Sequence, residues 1–153
     1  MIIGNSGFEY FDHTADIGLK ATGRDLAEAF TNAAKGMFGI ITSISKVRPV
    51  LGFELELEAA EIDTLLQKWL SELLFLHEIN HVLFSEFEVT ITKSEQSNSG
   101  SDDDQIHYKI HARALGEAYD PNRHNYRTEI KAVTRHLLEV DELNRTLVVL
   151  FDI

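Results

Sequence analysis

The chain has 153 residues, 44 % of them hydrophobic and 25 % charged, with a formal net charge of −11 and no cysteine. That length allows one domain with a sizeable core. The lack of cysteine excludes disulfides and thiolate zinc sites, and the negative field disfavours phosphate backbones and anionic lipid surfaces unless a local basic patch overcomes it. Met1 to Tyr10 carries neither a basic n-region nor an apolar h-region, and no apolar run approaches the roughly 20 residues that span a bilayer. The expected location is the cytoplasm.

Phe8 to Phe11 opens the pattern with a short aromatic stretch. Ile17, Leu19 and Ala21 then alternate with Gly18, Lys20 and Thr22, which predicts a strand over Asp16 to Thr22. Gly23 breaks that alternation. Asp25 follows as an N-cap, with Glu28 as its capping-box partner. Leu26, Ala29, Phe30, Ala33, Ala34, Met37 and Phe38 fall at helical spacing, predicting an amphipathic helix from Leu26 to Ile40. Beyond Pro49, Phe53, Leu55 and Leu57 alternate with Glu54, Glu56 and Glu58, a half-buried strand with an acidic outer face.

A second helix is predicted from Ile62 to Glu78, with Leu65, Leu66, Trp69, Leu70, Leu73, Leu74 and His77 on its buried stripe and Asp63 in its first turn. Val82 to Phe84 starts another strand. Phe87, Val89 and Ile91, then Ile106, Tyr108, Ile110 and Ala112, form the inward positions of an antiparallel hairpin. Its serine-rich loop, Lys93 to Gln105, contains Asp102, Asp103 and Asp104, without the glycine and terminal glutamate of a calcium-binding EF-hand. Gly116 to Asn125 is a turn-rich connection. A strand follows with Ile130 and Ala132 inward and Glu129 and Lys131 outward, and another includes Leu137 and Val140. The last strand, Leu147 to Phe151, is almost wholly apolar, which predicts a central strand buried on both faces. The pattern as a whole is α+β: one domain over residues 1–153, a two-layer sandwich with a mixed, mostly antiparallel sheet packed on two helices.

Three segments could carry chemistry. Asp12, His13 and Asp16 lie within five residues, and in an extended segment Asp12, Thr14 and Asp16 share a face, an arrangement suited to a hard cation or to acid–base work. The plainer reading is a polar turn whose aspartates cap amides. At the other end, a strand apolar to Phe151 presents the Asp152 carboxylate beside the α-carboxylate of Ile153, two anions that repel without a cation between them. Third, Arg123, Arg127, Lys131 and Arg135 concentrate positive charge, either for phosphate or an acidic partner or as a strand face that balances Glu54 to Glu58. His77-Glu78-Ile79-Asn80-His81 matches the HExxH string, but a helix ending near Glu78 with His77 on its buried stripe does not make a zinc protease. No phosphate loop, dinucleotide fingerprint or nucleophile elbow is present.

Taken together, these segments resemble the archease family. The matching pieces are Phe11 to Gly18 (FDHTADIG), Leu26 to Phe30, Gly36 to Phe38, Leu65 to Leu74, Arg123-His124, Thr128 to Thr134 (TEIKAVT) and the terminal Asp152-Ile153, in order along nearly the whole chain. The resemblance implies a small α+β sandwich that is not itself an enzyme. It implies an activator of the GTP-dependent tRNA-splicing RNA ligase, which promotes the ligase's guanylylation and multiple turnover. It further implies a divalent cation, calcium in the best-described members, held by Asp16, Asp152 and the carboxylate of Ile153. Asp12 stands where the family accepts Asp or Glu and is a candidate for the surrounding shell. Lys131, with His13 and Arg127, is a candidate contact to the partner or to phosphate. Arg135 before His136 departs from the tyrosine common in the family, and the Lys93 to Gln105 insert is long. The ligase is the expected protein partner, RNA enters indirectly, no membrane is involved, and the chain alone is expected to be a monomer. The alternative role, also proposed for archease-like proteins, is a chaperone or specificity modulator of a tRNA-modifying enzyme such as a tRNA methyltransferase. A stand-alone metallohydrolase is a third class, disfavoured by the lack of a nucleophile–base pair.

Overall fold

The computed structural model describes residues 7–97 and 104–153. The elements are β1 (Phe8–His13), β2 (Asp16–Thr22), α1 (Leu26–Ile41), a 3-10 turn (Ile44–Lys46), β3 (Leu51–Ala59), α2 (Ile62–Asn80), β4 (Val82–Ser97), β5 (Asp104–Ala118), β6 (Ala132–Asp141) and β7 (Thr146–Asp152). The class is α+β. Among the described residues the strands form two sheets, ordered β1-β2-β7-β6 and β3-β5-β4, and every pairing is antiparallel, so the single mixed sheet is replaced by two antiparallel ones.

Each helix touches both sheets. Helix α1 packs on β2 and β4, and α2 on β6 of the first sheet and on β3 and β5 of the second. No residue of α1 is fully exposed, which is why its apolar positions outnumber those of an ordinary surface helix. The buried Trp69 indole donates to the Phe30 carbonyl at 3.0 Å and fixes α2 against α1. Asp25 caps α1 as predicted, its carboxylate accepting from the Glu28 N–H at 2.8 Å. Glu28 reaches back to the Arg24 N–H at 3.1 Å, one residue before the position a strict capping box uses. No helix among the described residues is long and apolar enough to cross a membrane.

Several boundaries differ from the sequence expectation. Helix α2 runs on to Asn80 and ends at His81 in the left-handed region, φ 52°. The segments at Val82 and Phe87 are one strand with a bulge between Phe84 and Glu86, which resets the inward phase. Strands β4 and β5 pair from Val82–Ala118 out to Ser97–Asp104, so most of the expected loop is ladder, and the start of the turn-rich connection is still β5. Asp102 and Asp103 lie outside the described residues. Residues 121–131 are irregular, β6 begins at Ala132, and Ala132 is exposed while Ile130 and Val133 are buried. The Lys131–Ala132 phase therefore slips by one residue. The strand after it is the same β6, broken by an irregularity between Thr134 and Glu139, where Leu137 sits at φ 59° and is exposed.

Strand β7 lies between β2 and β6, as its composition predicted. Leu147, Val149, Leu150 and Phe151 are all buried. Opposite Leu150 stands Gly18, and a Cβ there would meet the Phe11 ring at 2.2 Å. The Phe11 ring thus lies flat over β2 only because residue 18 has no side chain.

A buried carboxylate secures the irregular segment. Glu117 accepts two bonds from the Arg123 guanidinium (2.7 and 3.1 Å), one from the Arg48 N–H (2.7 Å) and one from His124 Nε2 (3.0 Å). The Asp120 N–H donates to His124 Nδ1 at 2.9 Å, so the proton of the neutral ring is on Nε2, facing Glu117. The Arg123 hydrogen bond foremost, followed by those from Arg48 and His124, holds the Glu117 carboxyl well below the usual carboxylate range despite its burial.

Two outcomes follow from this packing. Gly18→Ala forces the Phe11 ring off β2 and is expected to destabilise the fold by about 1–3 kcal/mol, read as a lower midpoint in urea unfolding. Because its folded pKa is depressed, Glu117 stabilises the fold above the unfolded glutamate pKa of about 4.3, and that contribution is lost as pH falls below it. Glu117→Gln is expected to cost about 3 kcal/mol at neutral pH and to flatten the acid side of a Tm-against-pH curve.

Candidate metal and partner site

The site is built where the ends of β1, β2, β7 and β6 meet. The HTAD segment is a tight hairpin: His13 pairs with Asp16, and Thr14 and Ala15 make the turn, with Ala15 at φ 62°. Asp12 pairs with Ile17 and so stands on the opposite face from Asp16. The extended-segment reading, which put Asp12, Thr14 and Asp16 on one face, fails because the chain reverses between them. His13 Nδ1 lies 3.2 Å from Asp16 Oδ2.

Antiparallel pairing sets Asp16 directly opposite Asp152, and Asp152 in turn opposite Ala132 of β6. Residues paired in this way carry their Cβ atoms about 4.5–5.5 Å apart on one face, which puts two carboxylates within reach of one ion. Ile153 follows Asp152 immediately, just beyond the end of β7. The Lys131 N–H donates to the Asp152 carbonyl at 2.7 Å, which fixes the Lys131 backbone beside the pair.

Among the described residues, no three His, Cys, Asp or Glu side chains converge as a metal site. The side chains supply two donors, and the third would be a main-chain carboxylate. A set made only of anionic oxygens suits a hard cation such as Ca2+ better than zinc or copper.

Most of the cationic strip is committed elsewhere. Arg123 is bound to Glu117, Arg135 donates to Gln67 Oε1 at 2.7 Å, and Arg127 donates to Ser43 Oγ at 2.6 Å while its N–H holds the Ile41 carbonyl. The strip does not balance Glu54, Glu56 and Glu58, which pair instead with His111, Lys109 and His107 of β5. No hydrogen bond or ion pair joins Arg127 to Asp16 or Asp152 among the described residues. Lys131 is exposed and, among the described residues, its ammonium has no ion-pair partner. His136 was not singled out from the sequence, yet its ring lies 5.4 Å from that of His13. Nor was Glu117 singled out, although a glutamate ending an apolar run shortly before Arg-His is a visible signal for a buried ion pair.

Residues 8–153 match the Archease protein family (MTH1598/TM1083). The chain is 38 % identical to the protein archease of Sulfurisphaera tokodaii over 134 residues, 88 % of each chain. It is 41 % identical to that of Methanosarcina barkeri over 133 residues, covering 87 % of this chain and 85 % of the relative. Its fold is similar to the solution structure of Methanobacterium thermoautotrophicum protein 1598, with a TM-score of 0.76, 36 % identity and coverage of 97 % of this chain and 99 % of that one. An α+β domain with this sequence match over almost its whole length belongs to the archease family.

Proposed function

We propose that this chain is an accessory activator of the GTP-dependent tRNA-splicing RNA ligase. In this reading it promotes the ligase's guanylylation and repeated turnover through a divalent-cation site formed by Asp16, Asp152 and the carboxylate of Ile153. The observation that supports the reading most is the β2–β7 register, which sets Asp16 opposite Asp152 at the point where Ile153 follows. Two carboxylates opposed in this way repel each other, and a cation relieves that repulsion. When bound, a divalent cation supplies concentrated positive charge at the rim of a rigid sheet, able to organise phosphate chemistry in a partner. His13, at 3.2 Å from Asp16 Oδ2, orients that carboxylate. The Lys131 ammonium offers a second positive group for an acidic or phosphate-bearing contact, His13 and Arg127 are further candidates for that contact, and Asp12 lies outside the pair.

In a ligase guanylylation assay, Asp16→Asn and removal of Ile153 are each expected to abolish stimulation while the Tm stays close to that of the parent protein. Full stimulation by either variant would reject the reading. Calcium gives a separate measurement on the protein alone. At 100 times its dissociation constant, a ligand specific for the folded state adds about 2.7 kcal/mol, or a Tm rise of about 5–10 °C for a chain of this size. That rise is expected in the parent and absent in Asp16→Asn. An equal rise in both would remove Asp16 from the site.

A further inference from the structure

The HExxH string forms no metal site. His77, Glu78 and His81 instead line a cavity of about 270 Å3 with Tyr119 and Tyr126 at the C-terminal end of α2. His77 Nδ1 lies 2.8 Å from the Val82 carbonyl, which only accepts, so Nδ1 carries the proton of the neutral ring. The Tyr126 hydroxyl therefore donates inward to His77 Nε2 at 3.1 Å, and its oxygen lone pairs remain free to accept. The Tyr119 and Tyr126 rings meet at 71° with centroids 5.6 Å apart, two walls of a corner, and His77 stacks behind Tyr126 at 5.8 Å. Burial first, then the carboxylates of Glu129 and Glu78, raise the Tyr126 pKa, and of the two glutamates Glu78 lines the cavity. Neither glutamate has an ion-pair partner among the described residues, and no lysine or arginine lines the cavity. One turn apart on the same helix, Phe75 and Ile79 are 51 % and 57 % exposed.

We propose that this corner is a docking pocket for an arginine side chain of a protein partner, with Phe75 and Ile79 as the apolar ledge for the residues beside it. Aromatic faces attract a cation through their quadrupoles. A planar guanidinium can stack on one ring while its fork donates to the Tyr126 oxygen and to carboxylates. Glu78, on the cavity wall, supplies the complementary charge. The pocket belongs to the protein surface whichever enzyme the chain serves.

The probe is a capped Leu-Arg-Leu tripeptide titrated into the full-length, isotope-labelled protein by NMR. The control is the same peptide with citrulline, the neutral isostere of arginine. Saturable shifts are expected at the Tyr119 and Tyr126 rings and at Glu78. Binding should weaken about tenfold with citrulline and about threefold in Glu78→Gln, an exposed position whose change leaves the fold alone. Tyr126→Phe, which keeps the ring and loses the acceptor oxygen, should retain part of the affinity. No shift at the two tyrosines, equal binding of the citrulline peptide, or a Glu78→Gln affinity equal to that of the parent would each overturn the proposal.

Discussion

The architecture depends on β7 being apolar on both faces. A strand carrying Leu147, Val149, Leu150 and Phe151 cannot sit at a sheet edge without exposing one of its faces, so it is driven between β2 and β6. In its antiparallel register with β2, buried Val149 stands opposite buried Leu19 and buried Leu147 opposite buried Ala21. Asp152 opposite Asp16 continues the same register, and needs no attraction between the two carboxylates. Gly18 completes the constraint by letting the Phe11 ring lie against β2.

Electrostatics in this chain follows burial more closely than net charge. The charge of −11 suggests a uniformly acidic surface, yet the cations are distributed to specific tasks. On the outer face of the three-stranded sheet, Lys109, His111 and His107 stand against Glu56, Glu54 and Glu58 across β3 and β5, exposed pairs that contribute little individually. Arg123 and His124 serve the buried Glu117, where removal of either partner leaves a charge or a polar group stranded. That cluster fixes the start of the irregular segment, and the Lys131–Asp152 hydrogen bond fixes its end.

The regular elements were legible because their patterns are long and their periods clear. The seven apolar positions of α1, the Asp25 cap, the strict alternation of β3 and the apolar run of β7 all appear where the periodicity put them. The failures share a cause, since each depends on a partner strand that a single sequence does not reveal. The bulge at Ser85 splits the alternation of β4 into two apparent strands. Ile130 is buried without belonging to a strand, so it suggested a phase that Val133 contradicts. The hairpin at Thr14–Ala15 reverses a segment short enough to read as extended, and this separates Asp12 from Asp16. The basic strip looked like one surface because its residues are close in sequence, while the fold sends Arg123, Arg127 and Arg135 to three different acceptors. That Asp16 meets Asp152 was legible only through the resemblance, because spacing along the chain carries no information on which strands pair.

Departures from local consistency are informative in a chain whose other levels agree. Like charges set directly opposite in a sheet destabilise it, and the same composition could have offered Lys or Thr at either position. Phe75 and Ile79 lie on a helix face that would dissolve as well with polar residues, and Glu78 lines an aromatic corner that no lysine or arginine lines. Exposed carboxylates spread over a surface cost almost nothing, but carboxylates held in register or against rings have lost the freedom to separate. The opposed Asp16–Asp152 pair and the Glu78 carboxylate beside the tyrosine corner are such departures.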